Sequence, residues 1–172
     1  MRESVEADFR SFMTSRWTRL LRTAYLLAGN HHDAEDLAQT ALTKAYCGWE
    51  RVRRADDPDA YVWRIMINVH RDRLRGIKLR EWLTSWLPER AAADGSERVV
   101  VRGALMQALG RLSPKQRAVV VLRYLEDRSE TEVAALLGMG VGTVRTHSAR
   151  GLRRLREDSA LSENIAREVV TR

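Results

Sequence analysis

The chain has 172 residues, room for one ordinary domain or two small ones, and its wealth of alanine, leucine, arginine and glutamate with only three prolines favours helix. A net charge of +7 points to a polyanionic partner, although charge alone does not separate nucleic acid from an anionic membrane surface. The single cysteine, Cys47, excludes an internal disulfide and a cysteine-based zinc cluster, and the start MRESVEADFR lacks the apolar run of a signal peptide, so a cytoplasmic protein without membrane insertion is expected.

Residues 9–28 place Phe9, Phe12, Met13, Leu20, Ala24 and Leu27 on one side at helical spacing, and Gly29-Asn30 closes that helix. Asp33 is expected to cap a second helix. There Ala34, Leu37, Ala38, Ala41, Leu42, Ala45, Tyr46 and Trp49 follow the i, i+3, i+4, i+7 rule, leaving Glu35, Asp36, Gln39, Thr40, Thr43 and Lys44 outside. Residues 50–57 read as a basic, turn-rich loop. Asp57-Pro58 then gives a cap and an N1 proline to a third helix over residues 59–78, where Val62, Ile65, Met66, Val69 and Leu74 mix with Arg64, Arg71, Arg73 and Arg75. Residues 81–97, EWLTSWLPERAAADGSE, break the pattern with Pro88 and an Asp-Gly-Ser cluster and read as a linker, its Trp82 and Trp86 expected to cover apolar surface of the first domain or else to bind a partner.

Beyond the linker, residues 99–112 form one expected helix, and Ser113-Pro114 starts another that runs to Tyr124 or Leu125. A helix-turn-helix follows. Ser129 and Glu132 stand at capping-box spacing, Ala134 is small where two helices would cross, and Gly138 falls at the turn, where a positive φ is cheap only for glycine. Val141, Val144, Ser148, Leu152 and Leu155 recur at helical spacing and face inward. The opposite face carries Thr143, Arg145, Thr146, His147, Arg150, Arg153 and Arg154, which suits a major groove, with the early residues near base edges and the later arginines near phosphates. The tail past Asp158 is expected to fray.

Catalysis finds no support in these residues. His31 and His32 fall on a loop, His70 and His147 stand without Asp, Glu or Cys at ligand spacing, and no nucleophile elbow or phosphate-cradling glycine loop occurs. Neither a metal site nor a cofactor is expected, and the chain does not read as an enzyme.

With both halves in view, the chain resembles a bacterial RNA polymerase sigma factor of the extracytoplasmic function (ECF) type. DAEDLAQTALTKAYCGW followed by PDAYVWRIMINVHRDRLR is similar to sigma domain 2, and the helix-turn-helix half to domain 4. The resemblance implies an all-α fold of two small helical domains on a flexible linker: residues 1–80, linker 81–97, residues 98–160 and a tail 161–172. It implies core RNA polymerase and promoter DNA as partners, and leaves an anti-sigma factor open. Glu35, Asp36 and Gln39 match the family's docking surface for polymerase. The loop 50–57 and the third helix match the region that captures and opens the −10 element, with Trp63, Arg64, Asn68 and Arg71 as the candidate strand-holding residues. Thr143, Arg145, Thr146, His147, Arg150, Arg153 and Arg154 match the −35 reader. Two departures stand out: His147 where many members carry arginine, and Ser148 where they carry a larger apolar residue, a change expected to loosen packing.

Two other readings compete. A LuxR-type output domain shares TVRTH after a turn glycine but gives the first half no purpose, since that half lacks the alternating strands of a receiver domain. A helical adaptor that binds only proteins would leave the basic face of the helix-turn-helix as mere solvation.

Overall fold

The computed structural model describes residues 2–83 and 98–158, with side chains over 5–78 and 103–158. All regular elements among the described residues are helical, and the chain divides into two compact units, Met1–Arg80 and Glu81–Arg172. Trp86, the side chain of Trp82 and the tail past Asp158 lie outside the described residues.

In the first unit, α1 (Arg2–Ala28) and α2 (His31–Cys47) pack as a helical hairpin. Gly29 makes the sharp reversal with φ 99°, a left-handed conformation that glycine adopts without steric cost. Asn30, not Asp33, caps α2: its extended backbone lets Oδ1 accept the Asp33 N–H at 2.9 Å, while its Nδ2 donates to the Asp33 carboxylate at 2.6 Å. Asp33 therefore sits within the first turn, where its charge complements the helix dipole. Leu20, Ala24 and Leu27 of α1 meet a stripe of Ala34, Leu37, Ala38, Ala41 and Ala45 on α2, all buried. Alanine on that stripe lets the two backbones approach, and each fully buried leucine contributes roughly 1.5–3 kcal/mol.

The expected loop at 50–57 is half helix. Trp49 and Val52 are three apart and both buried, so the chain coils into α3 (Trp49–Arg53) to cover them. The Trp49 ring lies edge-on to Phe9, with centroids 5.2 Å apart, and tilted against Phe12 at 5.0 Å. That tie to α1 is what a sequence of turn formers and arginines concealed. Asp57 then accepts the Ala60 N–H at 2.9 Å and starts α4 (Pro58–Leu83), which runs through the expected start of the linker. Ion pairs join α4 to its neighbours, Arg16 of α1 to Asp59 and Arg73 of α4 to Asp36 of α2.

The second unit consists of α5 (Arg98–Gly110), α6 (Pro114–Val120) with a π-helical turn at Val121–Leu125, α7 (Glu130–Leu137) and α8 (Val141–Arg156). Ser113 and Gln116 close a capping box at the start of α6, and Ser129 and Glu132 close the expected one at α7. Gly138 ends α7 with φ 63°. The π turn buries Val121 and Leu122 side by side and leaves Tyr124 part exposed. After it Asp127 takes φ 53°, which a short polar side chain tolerates. Arg111 of the α5–α6 turn reaches Asp158, buried at the end of α8, at 2.6 Å.

Candidate nucleic-acid and partner interfaces

The face of α8 follows from how its other side is fastened. Val144 and Gly151 are buried, and Val141, Leu152 and Leu155 half-buried, so one stripe seats on α6 and α7. Gly151 is part of that seating: a Cβ there would lie 2.7 Å from Val120 Cγ2, so only glycine lets α8 approach α6 this closely. Sequence spacing singles out Leu152 and passes over its neighbour, because a glycine carries no apolar signal. Ser148 is buried too, and its Oγ lies 2.7 Å from the Tyr124 hydroxyl. That hydrogen bond satisfies the polar group where a larger apolar residue would otherwise fill the seam.

Thr143, Arg145, Thr146, Arg150, Arg153 and Arg154 are exposed on the far side. Thr146 donates its hydroxyl back to the Gly142 carbonyl at 3.0 Å, Arg154 donates to the Arg111 carbonyl at 3.3 Å, and Arg153 lies 3.9 Å from Glu157. Arg145 donates from Nε to Glu130 at 2.7 Å. His147 departs from the expected face. It is half-buried, its Nδ1 shut from solvent without a hydrogen-bond partner, and burial followed by the charges of Lys115 and Arg150 holds its pKa below the ordinary 6.5. It stands as a half-buried ring at the flank of the arginine face, near enough to Lys115 of α6 to sense its charge.

In the first unit, Arg64, Asn68 and Arg71 are exposed at i, i+4 and i+7, one continuous side of α4. Trp63 does not join them. It is 2% exposed, with the Arg19 guanidinium 5.3 Å from its ring centroid, because the apolar stripe of α4 is broad enough to take Trp63 and Ile67 beside Val62, Met66 and Val69. The indole packs in the core of this unit and lies off the exposed face that Arg64, Asn68 and Arg71 share. Arg51, Arg53 and Arg54 are exposed just before α4; Glu50 accepts from Arg53 at 2.7 Å, which holds its carboxyl below the usual range. On α2, Glu35, Asp36 and Gln39 are exposed together, with Asp36 engaged by Arg73, which also reaches the Asp33 carbonyl at 3.3 Å.

No group of three or more metal-ligating side chains occurs among the described residues, and none of their helices is long and apolar enough to cross a membrane.

The family model for Sigma-70 region 2 matches residues 12–80, and that for Sigma-70, region 4 matches residues 102–155. An RNA polymerase sigma-E factor of Streptomyces coelicolor is 42% identical over 160 residues, covering 93% of this chain and 90% of that protein. The ECF RNA polymerase sigma factor SigE of Mycolicibacterium smegmatis is 34% identical over 81% of this chain and 56% of its own length. Among solved structures, the sigma factor RpoE of Bartonella quintana, crystallised with the anti-sigma factor NepR, is similar with a TM-score of 0.74 at 25% identity, over 87% of this chain and 95% of that one. Two region matches in this order, with relatives alike across most of both chains, place the protein: it belongs to the sigma-70 family, as an RNA polymerase sigma factor of the ECF type.

Proposed function

We propose that the chain binds core RNA polymerase in the cytoplasm and directs it to promoters, with no catalytic site of its own and no cofactor. The observation that carries the reading is the arginine face of α8, held outward by a capped and glycine-turned helix pair inside a chain of this family. Thr143, Arg145 and Thr146, near the start of α8, read base edges of the −35 element, with the half-buried His147 at their flank. Arg150, Arg153 and Arg154 hold phosphates. Arg64, Asn68 and Arg71, with the arginines at 51, 53 and 54, hold one strand of the opened −10 element through its backbone and exposed bases. Glu35, Asp36 and Gln39 form a docking patch for a basic surface of polymerase. The anti-sigma factor in the Bartonella structure makes such a protein a candidate partner here as well.

Run-off transcription with purified core polymerase on a library of genomic fragments tests this reading and returns the promoter at once. Specific start sites that require the added chain support it. A helical adaptor would produce none, and a free-standing operator binder would retard DNA without polymerase and leave the start sites unchanged.

A further inference from the structure

The fold fixes one arginine of the α8 face by a side chain from the other helix of the motif. Arg145 Nε donates to Glu130 Oε2 at 2.7 Å, and Glu130 is the first residue of α7. Both Nη groups of Arg145 remain without a partner among the described residues. A guanidinium that meets guanine end-on uses Nη1 and Nη2 against O6 and N7, and Nε is the donor left over. A carboxylate on Nε therefore sets the plane of the fork without occupying the edge that would meet a base.

The charge of Glu130 complements the dipole of α7, as any first-turn carboxylate does, but on a DNA-facing motif it carries a cost. The first turn of a helix presents backbone N–H groups that attract phosphate, and a carboxylate there opposes that attraction. The other acid of this turn, Glu132, closes the capping box on Ser129 and pairs with Arg128 at 3.2 Å. Glu130 has no capping role, and its hydrogen bond goes to Arg145 alone. It is also the more sheltered of the two, with a side chain 33% exposed against 68% for Arg145. Such a support orders a long side chain before DNA arrives, so less rotamer freedom is lost on docking.

We infer that Glu130 is a positioning residue that aims Arg145 and so sets base preference at one position of the −35 element. The inference rests on α8 being the −35 reader. Its test uses holoenzyme reconstituted from the full chain and core polymerase, challenged with a promoter library randomised through the −35 element, for the parent, Arg145→Ala, Glu130→Ala, Glu130→Gln and the Glu130→Ala/Arg145→Ala double variant. Arg145→Ala should erase a preference of roughly 10-fold or more at one position. Glu130→Ala should weaken the same position and no other, and the double variant should match Arg145→Ala. Glu130→Gln keeps an acceptor oxygen for Nε and should retain most of the preference, which a purely electrostatic role would not allow. If Glu130→Ala and Glu130→Gln instead raise occupancy of all sequences alike with the preference pattern unchanged, Glu130 is only a repelling charge and the inference is wrong. If Arg145→Ala alters no position, the reading of Arg145 falls and the inference with it. If Arg145→Ala alters a position that Glu130→Ala leaves intact, only the inference falls.

Discussion

The two units spend their arginines differently. In the first, Arg16 lies 4.1 Å from the Phe12 ring centroid and pairs with Asp59, Arg19 covers Trp63, and Arg73 reaches Asp36, so cations join helices to one another. In the second, Arg145, Arg150, Arg153 and Arg154 stand exposed along one helix, and the hydrogen bonds that Arg145 and Arg154 make leave most of their donors directed outward. The division is one of degree: the first unit also exposes Arg51, Arg53, Arg54, Arg64 and Arg71, and the second braces Asp158 with Arg111, while α8 gathers its exposed arginines without an interhelical ion pair at most of them. Aromatic rings do not divide this way: Phe9, Phe12, Trp49 and Trp63 are fastened among helices of the first unit, but Tyr46 there is as exposed as Tyr124 of the second, whose hydroxyl is tied to Ser148.

The sharpest way to break this comparison is at Trp63. If the indole is core, Trp63→Ala should destabilise the first unit by about 3–5 kcal/mol, and Trp63→Phe should recover much of that and leave promoter opening intact. Thermal unfolding followed by circular dichroism gives the first quantity, and permanganate reactivity of start-site thymines gives the second. A Trp63→Phe protein that is fully folded yet unable to open promoters would return the ring to the DNA-holding set.

In the second unit the corresponding test is Gly151. A methyl group at this position meets Val120, a stiff β-branched side chain that cannot swing away, so Gly151→Ala should cost about 1–3 kcal/mol and tilt α8 off α6. Smaller still, Ser129→Ala removes the hydroxyl that accepts the Glu132 N–H and should cost about 1 kcal/mol. Gly151→Ala should weaken promoter binding beyond its effect on stability because it moves the whole reading face. Equal effects of the two variants on promoter affinity at matched stability would show that the seating of α8 does not govern recognition.

What the sequence revealed tracks these interactions. Ser129, Glu132 and Gly138 are short-range devices whose chemistry and spacing are local, and the structure reproduces each of them. Most of the α2 stripe was legible for the same reason, a clean helical period, but Tyr46, placed on it by that period, is 49% exposed and Leu42 only half-buried. Gly151, the bond from Ser148 to Tyr124, and α3 were not legible, because each depends on a partner far along the chain or on what a missing side chain permits. Trp63 was ambiguous at the level of pattern: a wide apolar stripe and a narrow one with an aromatic beside it read alike until the opposing helix is placed. His147 was assigned to the face by period alone, which does not register its partial burial.

That burial gives His147 a pH signature. Its folded pKa lies below the ordinary 6.5, so the unfolded chain takes up the proton more readily, and the second unit should be fully stable above pH 6.5 and lose stability as the pH falls below it. His147→Gln should flatten this dependence in unfolding curves measured between about pH 5 and pH 8, the range in which an imidazole titrates. An unchanged slope would mean that the ring reaches solvent when protonated and does not sense its burial.

The smallest expected change in stability tests the first unit's most consequential surface. Asp36 is exposed on α2 but is held by Arg73, so the patch with Glu35 and Gln39 is anchored to α4. Breaking such a part-exposed pair should cost no more than about 1 kcal/mol. Charge reversal at Asp36 with Gln39→Ala should therefore leave helicity intact and barely move thermal unfolding, while affinity for core polymerase and transcription at limiting polymerase both fall. Arg73→Gln separates docking from bracing, because it breaks the same ion pair but leaves the carboxylate in place. If Asp36 itself meets polymerase, Arg73→Gln keeps binding near the parent level or improves it, since the carboxylate no longer shares its charge. If both variants lose polymerase to the same extent, the ion pair matters for the placement of α2 on α4 and the docking contact lies elsewhere.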